Sequence, residues 1–232
     1  MNKRFFSIVV PAHNEEKLIG ETLSHLAALH YPKARLEVIV VENGSTDKTW
    51  EIAKHLEAPH IKVIQSEKGV SRARNTGAAI ANPNAEWFLF LDADTFLKPD
   101  FLEQLNSYIE KHSDAAWGTA TILPDDSTPA SRFWYAYTNI TDKMLKVMHR
   151  VHIVRADLAR REKYNESLSV GEDLHYGRTL GKRGKYFFMP TESVISSTRR
   201  FKQKGYLRMF FINMRAGLPK WVLKHFEWEV VR

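Results

Sequence analysis

The sequence contains no cysteine. Disulfides, thiolate metal centres and cysteine nucleophiles are therefore excluded, in keeping with a reducing compartment. No apolar run approaches the ~20 residues that a membrane-spanning helix needs. The start, Met1–Asn2–Lys3–Arg4–Phe5–Phe6, is basic and then apolar, as a signal peptide is. Its apolar run stops at Pro11, and His13, Asn14, Glu15 and Glu16 follow, so the stretch is too short and reads as a first strand. The turn after that strand has no Gly-x-Gly-x-x-Gly, which argues against a dinucleotide-dependent dehydrogenase. No glycine-rich, Lys- or Arg-bearing triphosphate loop follows it either, which disfavours a nucleotidyltransferase. Internal repeats, low-complexity linkers and a second-domain boundary are also missing. The 232 residues fit one domain over 1–232 with a substantial core.

What is present is ordinary in amount and uneven in place. Hydrophobic residues make up 44% of the chain and charged residues 26%, as in a globular protein. The net charge is +7, and beyond Arg199 lysine and arginine far outnumber the two glutamates. A basic balance of this kind suits nucleic acid, an anionic membrane or a phosphorylated small molecule. The stretch Leu207–Val231 mixes Phe210, Phe211, Trp221, Phe226 and Trp228 with Arg208, Arg215, Lys220 and Lys224. It can cover the sheet as a C-terminal helix or lie on an anionic bilayer. The expected location is cytoplasmic, with peripheral contact at the inner face of the membrane as the second reading.

Along the chain, strand-like and helix-like patterns alternate four times over 5–112. Phe5–Val10, Leu36–Val41, Ile61–Ile64 and Trp87–Leu91 read as strands. Glu15–Leu29 reads as a helix from the spacing of Leu18, Ile19, Leu23, Leu26 and Ala27. Ser45 or Thr46 caps a second helix with Trp50, Ile52, Ala53 and Leu56 inside. Gly69–Gly77 reads as a turn into an alanine-rich third helix, and Pro99 opens a fourth with Phe101, Leu102, Leu105, Tyr108 and Ile109 inside. Such alternation predicts a parallel sheet covered by helices, with right-handed crossovers. The half over 113–200 is less regular. Ala116–Ile122, Val151–Val154, Lys185–Met189 and Ser193–Ser196 read as strands, and Arg132–Arg150 and Leu174–Leu180 as helices.

The strand Trp87–Leu91 ends in Asp92–Ala93–Asp94. In an extended chain the two carboxylates share a side. Two hard oxygen donors at the carboxyl end of a buried strand suit Mg²⁺ or Mn²⁺ held against substrate phosphates. A chance Asp-x-Asp, or a cap for the next helix, is the bland alternative.

Five segments in order complete a pattern: Val9–Val10–Pro11–Ala12–His13–Asn14–Glu15–Glu16, Val40–Val41–Glu42–Asn43–Gly44–Ser45–Thr46–Asp47, Ala73–Arg74–Asn75–Thr76–Gly77, Asp92–Ala93–Asp94 and Gly171–Glu172–Asp173. The chain resembles the family 2 glycosyltransferases over about 5–200. That resemblance implies a GT-A (Rossmann-like) fold with a mainly parallel sheet flanked by helices and an α+β acceptor-side half. It implies a nucleotide-sugar half over 5–112, an acceptor half over 113–200 and a helical basic tail over 201–232. The implied reaction is inverting, metal-dependent transfer from a nucleotide-diphospho-sugar, with a UDP-sugar favoured, to a lipid, glycan or small-metabolite hydroxyl. The donor would meet Pro11, Ala12, Asn14, Glu15, Glu42, Asn43, Arg74, Asp92 and Ala93. Asp92 and Asp94 would hold Mg²⁺ or Mn²⁺, and Asp173 would be the general base. Trp117, Gly118, Glu172, Arg199 and Arg200 would lie on the acceptor or diphosphate side, and Asn75 would brace the carboxylate loop.

Each segment also has a plainer reading. Asn14 can cap a helix, Asn43–Gly44 can form a turn, and Glu172 and Asp173 can cap the helix that follows. Glu42 stands where the family has a shorter acid. Ser196–Ser197–Thr198–Arg199–Arg200–Phe201 departs from the family's Gln-x-x-Arg-Trp, so processive polymer synthesis is not expected. His13, His149, His152 and His175 are possible metal ligands, none of them singled out. Besides a GT-A-like nucleotidyltransferase, the alternative class is a basic nucleic-acid- or membrane-binding module, which leaves the acidic loops unexplained.

Overall fold

The computed structural model describes residues 2–205. The expected helix over Leu207–Val231 therefore lies outside the described residues.

A seven-stranded sheet organises the chain. Its members are β1 (Phe6–Ala12), β2 (Leu36–Glu42), β3 (Ile61–Gln65), β4 (Trp87–Leu91), β6 (Ala115–Ala120), β8 (Val151–Arg155) and β9 (Lys185–Met189). They run in the order β3-β2-β1-β4-β8-β6-β9. Only β8 runs against the rest, pairing antiparallel with both β4 and β6. Three short strands, β5 (Thr95–Leu97), β7 (Leu123–Pro124) and β10 (Val194–Ser196), make a second sheet in the order β5-β10-β7.

The apolar run of β4 is buried throughout because both sheet faces are covered. Trp87, Leu89 and Leu91 face one apolar layer, with side chains from α1 (Ile19–Ala27), α2 (Thr49–His55) and α4 (Phe101–Lys111). Phe88 and Phe90 face the other, with α3 (Val70–Ile80), α6 (Ala156–Arg161) and α7 (Glu172–Gly181). Each large side chain so buried contributes ~1.5–3 kcal/mol, which makes this strand the anchor of the sheet. Two more helices, α5 (Pro129–Leu145) and α8 (Arg199–Lys204), pack at the carboxyl-end side, with Phe201 against Trp134 and Tyr135.

Several boundaries differ from expectation, each for a local reason. α1 starts at Ile19, because Asn14 sits at φ 55 and Glu15 to Leu18 form a turn closed on the Glu15 carbonyl. α2 starts at Thr49: Ser45 and Thr46 are bonded to Asn14, while Asp47 Oδ1 accepts the Thr49 N–H at 3.0 Å. α3 starts at Val70, so Arg72, Arg74 and Asn75 stand on a helix rather than in a turn. α5 starts at Pro129, with the Thr128 hydroxyl accepting from the Ser131 N–H, and stops where Lys146 turns left-handed at φ 54. α6 is six residues long with no side-chain cap, too short for helical periodicity to mark it in the sequence. α7 starts at Glu172 because Gly171, at φ 77, turns the chain into it.

Gly118 lies in β6 where β9 passes closest. A Cβ there would fall 2.0 Å from the Phe187 carbonyl oxygen, a backbone atom with no freedom to retreat. Gly118→Ala is expected to lower stability by about 3 kcal/mol, read as a shift of the urea midpoint. A loss below about 0.5 kcal/mol would show that the β6–β9 spacing relaxes freely.

Candidate functional site

The ends of β1, β2 and β4 lie on one edge of the sheet, where Ala12 pairs in register with Glu42. The loops leaving β1 and β2 are laced together. Asn43 donates from its backbone N–H (2.9 Å) and from Nδ2 (2.8 Å) to the Ala12 carbonyl, and its Oδ1 accepts the Gly69 N–H at 3.1 Å. The Asn14 N–H donates to Ser45 Oγ at 3.1 Å, and Asn14 Oδ1 accepts the Thr46 N–H at 2.8 Å. Glu42 Oε1 accepts the Ser45 N–H, and Oε2 accepts from Gln65 Nε2 at 3.1 Å. These bonds make Asn14 and Asn43 braces between loops, with Glu42 buried at the floor.

Beside this floor stands Arg74, whose side chain is 3% exposed. Nη2 donates to Asp92 Oδ1 at 3.0 Å and Nη1 to Asp173 Oδ1 at 2.8 Å, with Glu172 Oε1 3.8 Å away. The guanidinium lies over the Tyr164 ring at 5.0 Å. Burial works against its charge, but Asp173, Tyr164, Asp92 and Glu172 outweigh that and raise its pKa further. One buried cation thus gathers acids from the end of β4 and the start of α7.

A second cluster flanks the same strand end. Glu15, nearly buried, accepts from Arg199 Nη2 and from Arg200 Nη2, the latter at 3.0 Å. Arg200 Nε stands 3.5 Å from Asp94 Oδ2. Asp94 above all, and then Glu15 and Asp92, raise the Arg200 pKa against the opposing effect of burial. Two bonds to backbone carbonyls hold the turn: the Ser197 N–H donates to the Asp94 carbonyl at 2.9 Å, and the Thr22 hydroxyl to the Ala93 carbonyl at 2.6 Å. Pro11 and Ala12 complete the floor as the last residues of β1.

Two expected residues fall elsewhere. Trp117 is 1% exposed, its indole N–H donates to the Gly184 carbonyl at 2.9 Å, and its ring packs under α7. It is a core residue and supports the helix that carries Asp173. Gly118 is a packing requirement of the sheet, as its contact with Phe187 shows. Asn75 braces a different segment from the one expected. It donates to the Tyr164 carbonyl (3.0 Å) and to Glu166 Oε1 (2.9 Å), and accepts the Tyr164 N–H (3.0 Å).

Tyr164 and His152 were missed as a pair. His152 is buried on β8, its Nδ1 2.6 Å from Tyr164 Oη and its Nε2 3.5 Å from Asp173 Oδ1. Burial first, then the charges of Arg74 and His149, push the imidazole well below its usual pKa, so it is neutral. Burial pushes the Tyr164 hydroxyl well up, so it keeps its proton. With Tyr164 O–H donating to Nδ1, the remaining ring proton sits on Nε2 and faces Asp173. The signal was a histidine inside the apolar run Val151–Val154, opposite Phe90 of β4.

Among the described residues no group of three or more His, Asp or Glu is arranged to hold a metal. Asp92 and Asp94 offer two hard oxygen donors, the number that Mg²⁺ or Mn²⁺ uses when phosphates complete its shell. The donor set fits such an ion only together with a phosphate-bearing ligand.

The profile of Glycosyl transferase family 2 matches residues 7–168. The chain belongs to that family. TarS of Staphylococcus aureus, a poly(ribitol-phosphate) β-N-acetylglucosaminyltransferase, is 36% identical over 111 residues, covering 46% of this chain and 19% of TarS. A glucuronosyltransferase of Methanococcus voltae that acts on dolichyl N-acetyl-α-D-glucosaminyl phosphate is 26% identical over 228 residues, 88% of this chain and 70% of that protein. The crystal structure of TarS 1–349 with UDP-GlcNAc superimposes with a TM-score of 0.68 at 24% identity, over 83% of this chain and 58% of that one. The mannosyltransferase PcManGT of Pyrobaculum calidifontis, solved with GDP-Man and Mn²⁺, gives 0.66 at 20% identity, over 95% and 67%. The fold is therefore that of the GT-A glycosyltransferases, and the sequence match with TarS covers only about a fifth of that protein's length.

Two results are expected. Arg74→Met strands Asp92, Asp173 and Glu172 without their cation and should cost about 2–3 kcal/mol in chemical unfolding, less than a fully buried pair because Asp92 and Asp173 are partly exposed. No loss would mean that the acids rearrange without it. At His149, partial burial opposes the charged ring, but Asp142 outweighs it and lifts the pKa to about 9. The ordinary value is ~6.5, so the pair's contribution is complete below that pH and fades as pH rises through about 9. The ring is half exposed, which keeps the effect below ~1 kcal/mol. In His149→Gln the alkaline decline in melting temperature should shrink; an identical decline would place its origin elsewhere.

Proposed function

We propose that this chain transfers a sugar from a nucleotide-diphospho-sugar to an acceptor hydroxyl with inversion, Asp173 acting as the general base. The observation that carries the reading is the convergence of Asp92 and Asp173 on the Arg74 guanidinium, which joins the end of β4 to the start of α7. The acids come from distant parts of the chain, so a ligand between them meets both.

The roles follow from the bonding. Arg74 Nη1 donates to Asp173 Oδ1, His152 Nε2 stands 3.5 Å from the same oxygen, and no hydrogen bond to Oδ2 is found among the described residues. Oδ2 is thus free to take the acceptor's proton while Oδ1 holds the carboxylate's orientation. As the acceptor oxygen bonds to C1, the bond from C1 to the diphosphate breaks and the nucleoside diphosphate leaves. Asp92 and Asp94 would hold Mg²⁺ or Mn²⁺, which supplies positive charge to the leaving diphosphate. Arg199 and Arg200, now shared among Glu15 and Asp94, are the cations available to phosphate oxygens on that side. Glu42 has one N–H on each carboxylate oxygen and keeps lone pairs for the imide N–H of uracil. With the relative crystallised with UDP-GlcNAc, this supports a UDP-sugar donor.

Asp173→Asn should cut kcat by about 10²–10⁴ and leave the donor Kd within about twofold; lost donor affinity would remove Asp173 from the base role. Asp94→Ala should abolish the Mn²⁺-dependent part of nucleotide binding. In thermal-shift assays a UDP-sugar with Mn²⁺ should raise the melting temperature, since ligand at 100 times Kd stabilises by ~2.7 kcal/mol. A shift with GDP-sugars alone would overturn the choice of base.

A further inference from the structure

We propose that α5 docks this protein onto an anionic bilayer surface. Phe133, Ile140 and Met144 are 74%, 58% and 74% exposed. At helical spacing they form one stripe, roughly opposite the buried Ser131, Tyr135 and Asp142 of the same helix. Leu145, 67% exposed, extends the stripe at its end. From Phe133 to Met144 it runs ~16 Å at 1.5 Å per residue, along a helix whose buried side is already satisfied.

The rim of this stripe decides its partner. Arg132, Lys143 and Lys146 are exposed beside it and take part in no ion pair among the described residues. Asp142 is the sole acid between positions 129 and 149, and it is buried. A second copy of α5 would bring the same positive rim against itself. Residues 206–232, which follow α8 beside α5, carry five Lys and Arg against two Glu and would also add like charge. An anionic lipid surface has the opposite sign and accepts Phe, Ile and Met side chains to headgroup depth, as amphipathic helices lie in an interface.

The surface is tied to the site. Tyr135 Oη donates to the Ser196 and Ser197 carbonyls at 3.1 and 3.2 Å, and the Arg150 guanidinium lies over its ring at 4.9 Å. Ser197 in turn donates its N–H to the Asp94 carbonyl. A helix seated on a bilayer would thus hold the acid-bearing edge near that surface, within reach of a hydroxyl presented from it. The docking itself stands on the stripe and its rim, independently of the proposed reaction.

The test is co-sedimentation of the full chain with vesicles of phosphatidylcholine alone and of phosphatidylcholine with phosphatidylglycerol. Binding is expected to the mixed vesicles only, and to weaken at high salt. Phe133→Ser with Met144→Ser should reduce it at least about tenfold. Arg132→Gln, Lys143→Gln and Lys146→Gln should each reduce it roughly fivefold. These three positions are exposed, so their variants keep the test open even if the apolar variants fold poorly. Equal binding to neutral vesicles, or binding untouched by both sets of substitutions, overturns the proposal. A wild-type oligomer that the serine variant converts to monomer in light scattering, without vesicle binding, also overturns it and makes the stripe a self-interface.

Discussion

The site depends on a single buried cation. A guanidinium that is almost wholly out of water is tolerable only where acids surround it, because an unpaired charge there would cost several kcal/mol. Arg74 meets that condition with Asp92, Asp173 and Glu172, and with the face of Tyr164. Those partners come from β4, from α7 and from the segment between α6 and α7. Satisfying one side chain therefore fixes three separate pieces of chain around α3.

The sheet makes this arrangement possible. β4 is apolar on both faces, so it lies at the centre and delivers Asp92 and Asp94 to the carboxyl edge. The reversed strand β8 enters next to it, with the Arg150 carbonyl taking the Asp92 N–H at 2.8 Å and His152 set opposite Phe90. That direction is what carries a neutral imidazole beneath Asp173. Trp117 then supports α7 from below, so that Glu172 and Asp173 stand on a helix packed against core rather than on a free loop.

Much of this was legible in residue order. The alternation over 5–112 predicted four parallel strands with covering helices, and the pairings of β1 with β2 and β4, and of β2 with β3, are parallel. The acids at Glu42, Asp92 and Glu172–Asp173 were also visible as the residues that end or begin elements. Helix starts were less legible. Asn14, Ser45 and Thr46 have the chemistry of caps, yet they spend it bridging two loops that are ~30 residues apart. A side chain that can bond locally or across loops has no local signal of which it will do.

Periodicity and composition by themselves determined the layered α/β architecture, because burial on both faces requires unbroken apolar strands and burial on one face requires helical spacing. They also determined which segments carry acids and bases. Only the tertiary structure decided that Arg74 joins Asp92 to Asp173, that His152 and Tyr164 stand behind that pair, and that Trp117 lies in the core. Those contacts link residues 12 to 99 positions apart. Whether such groups meet depends on strand order and on the direction of β8, which no local pattern encodes.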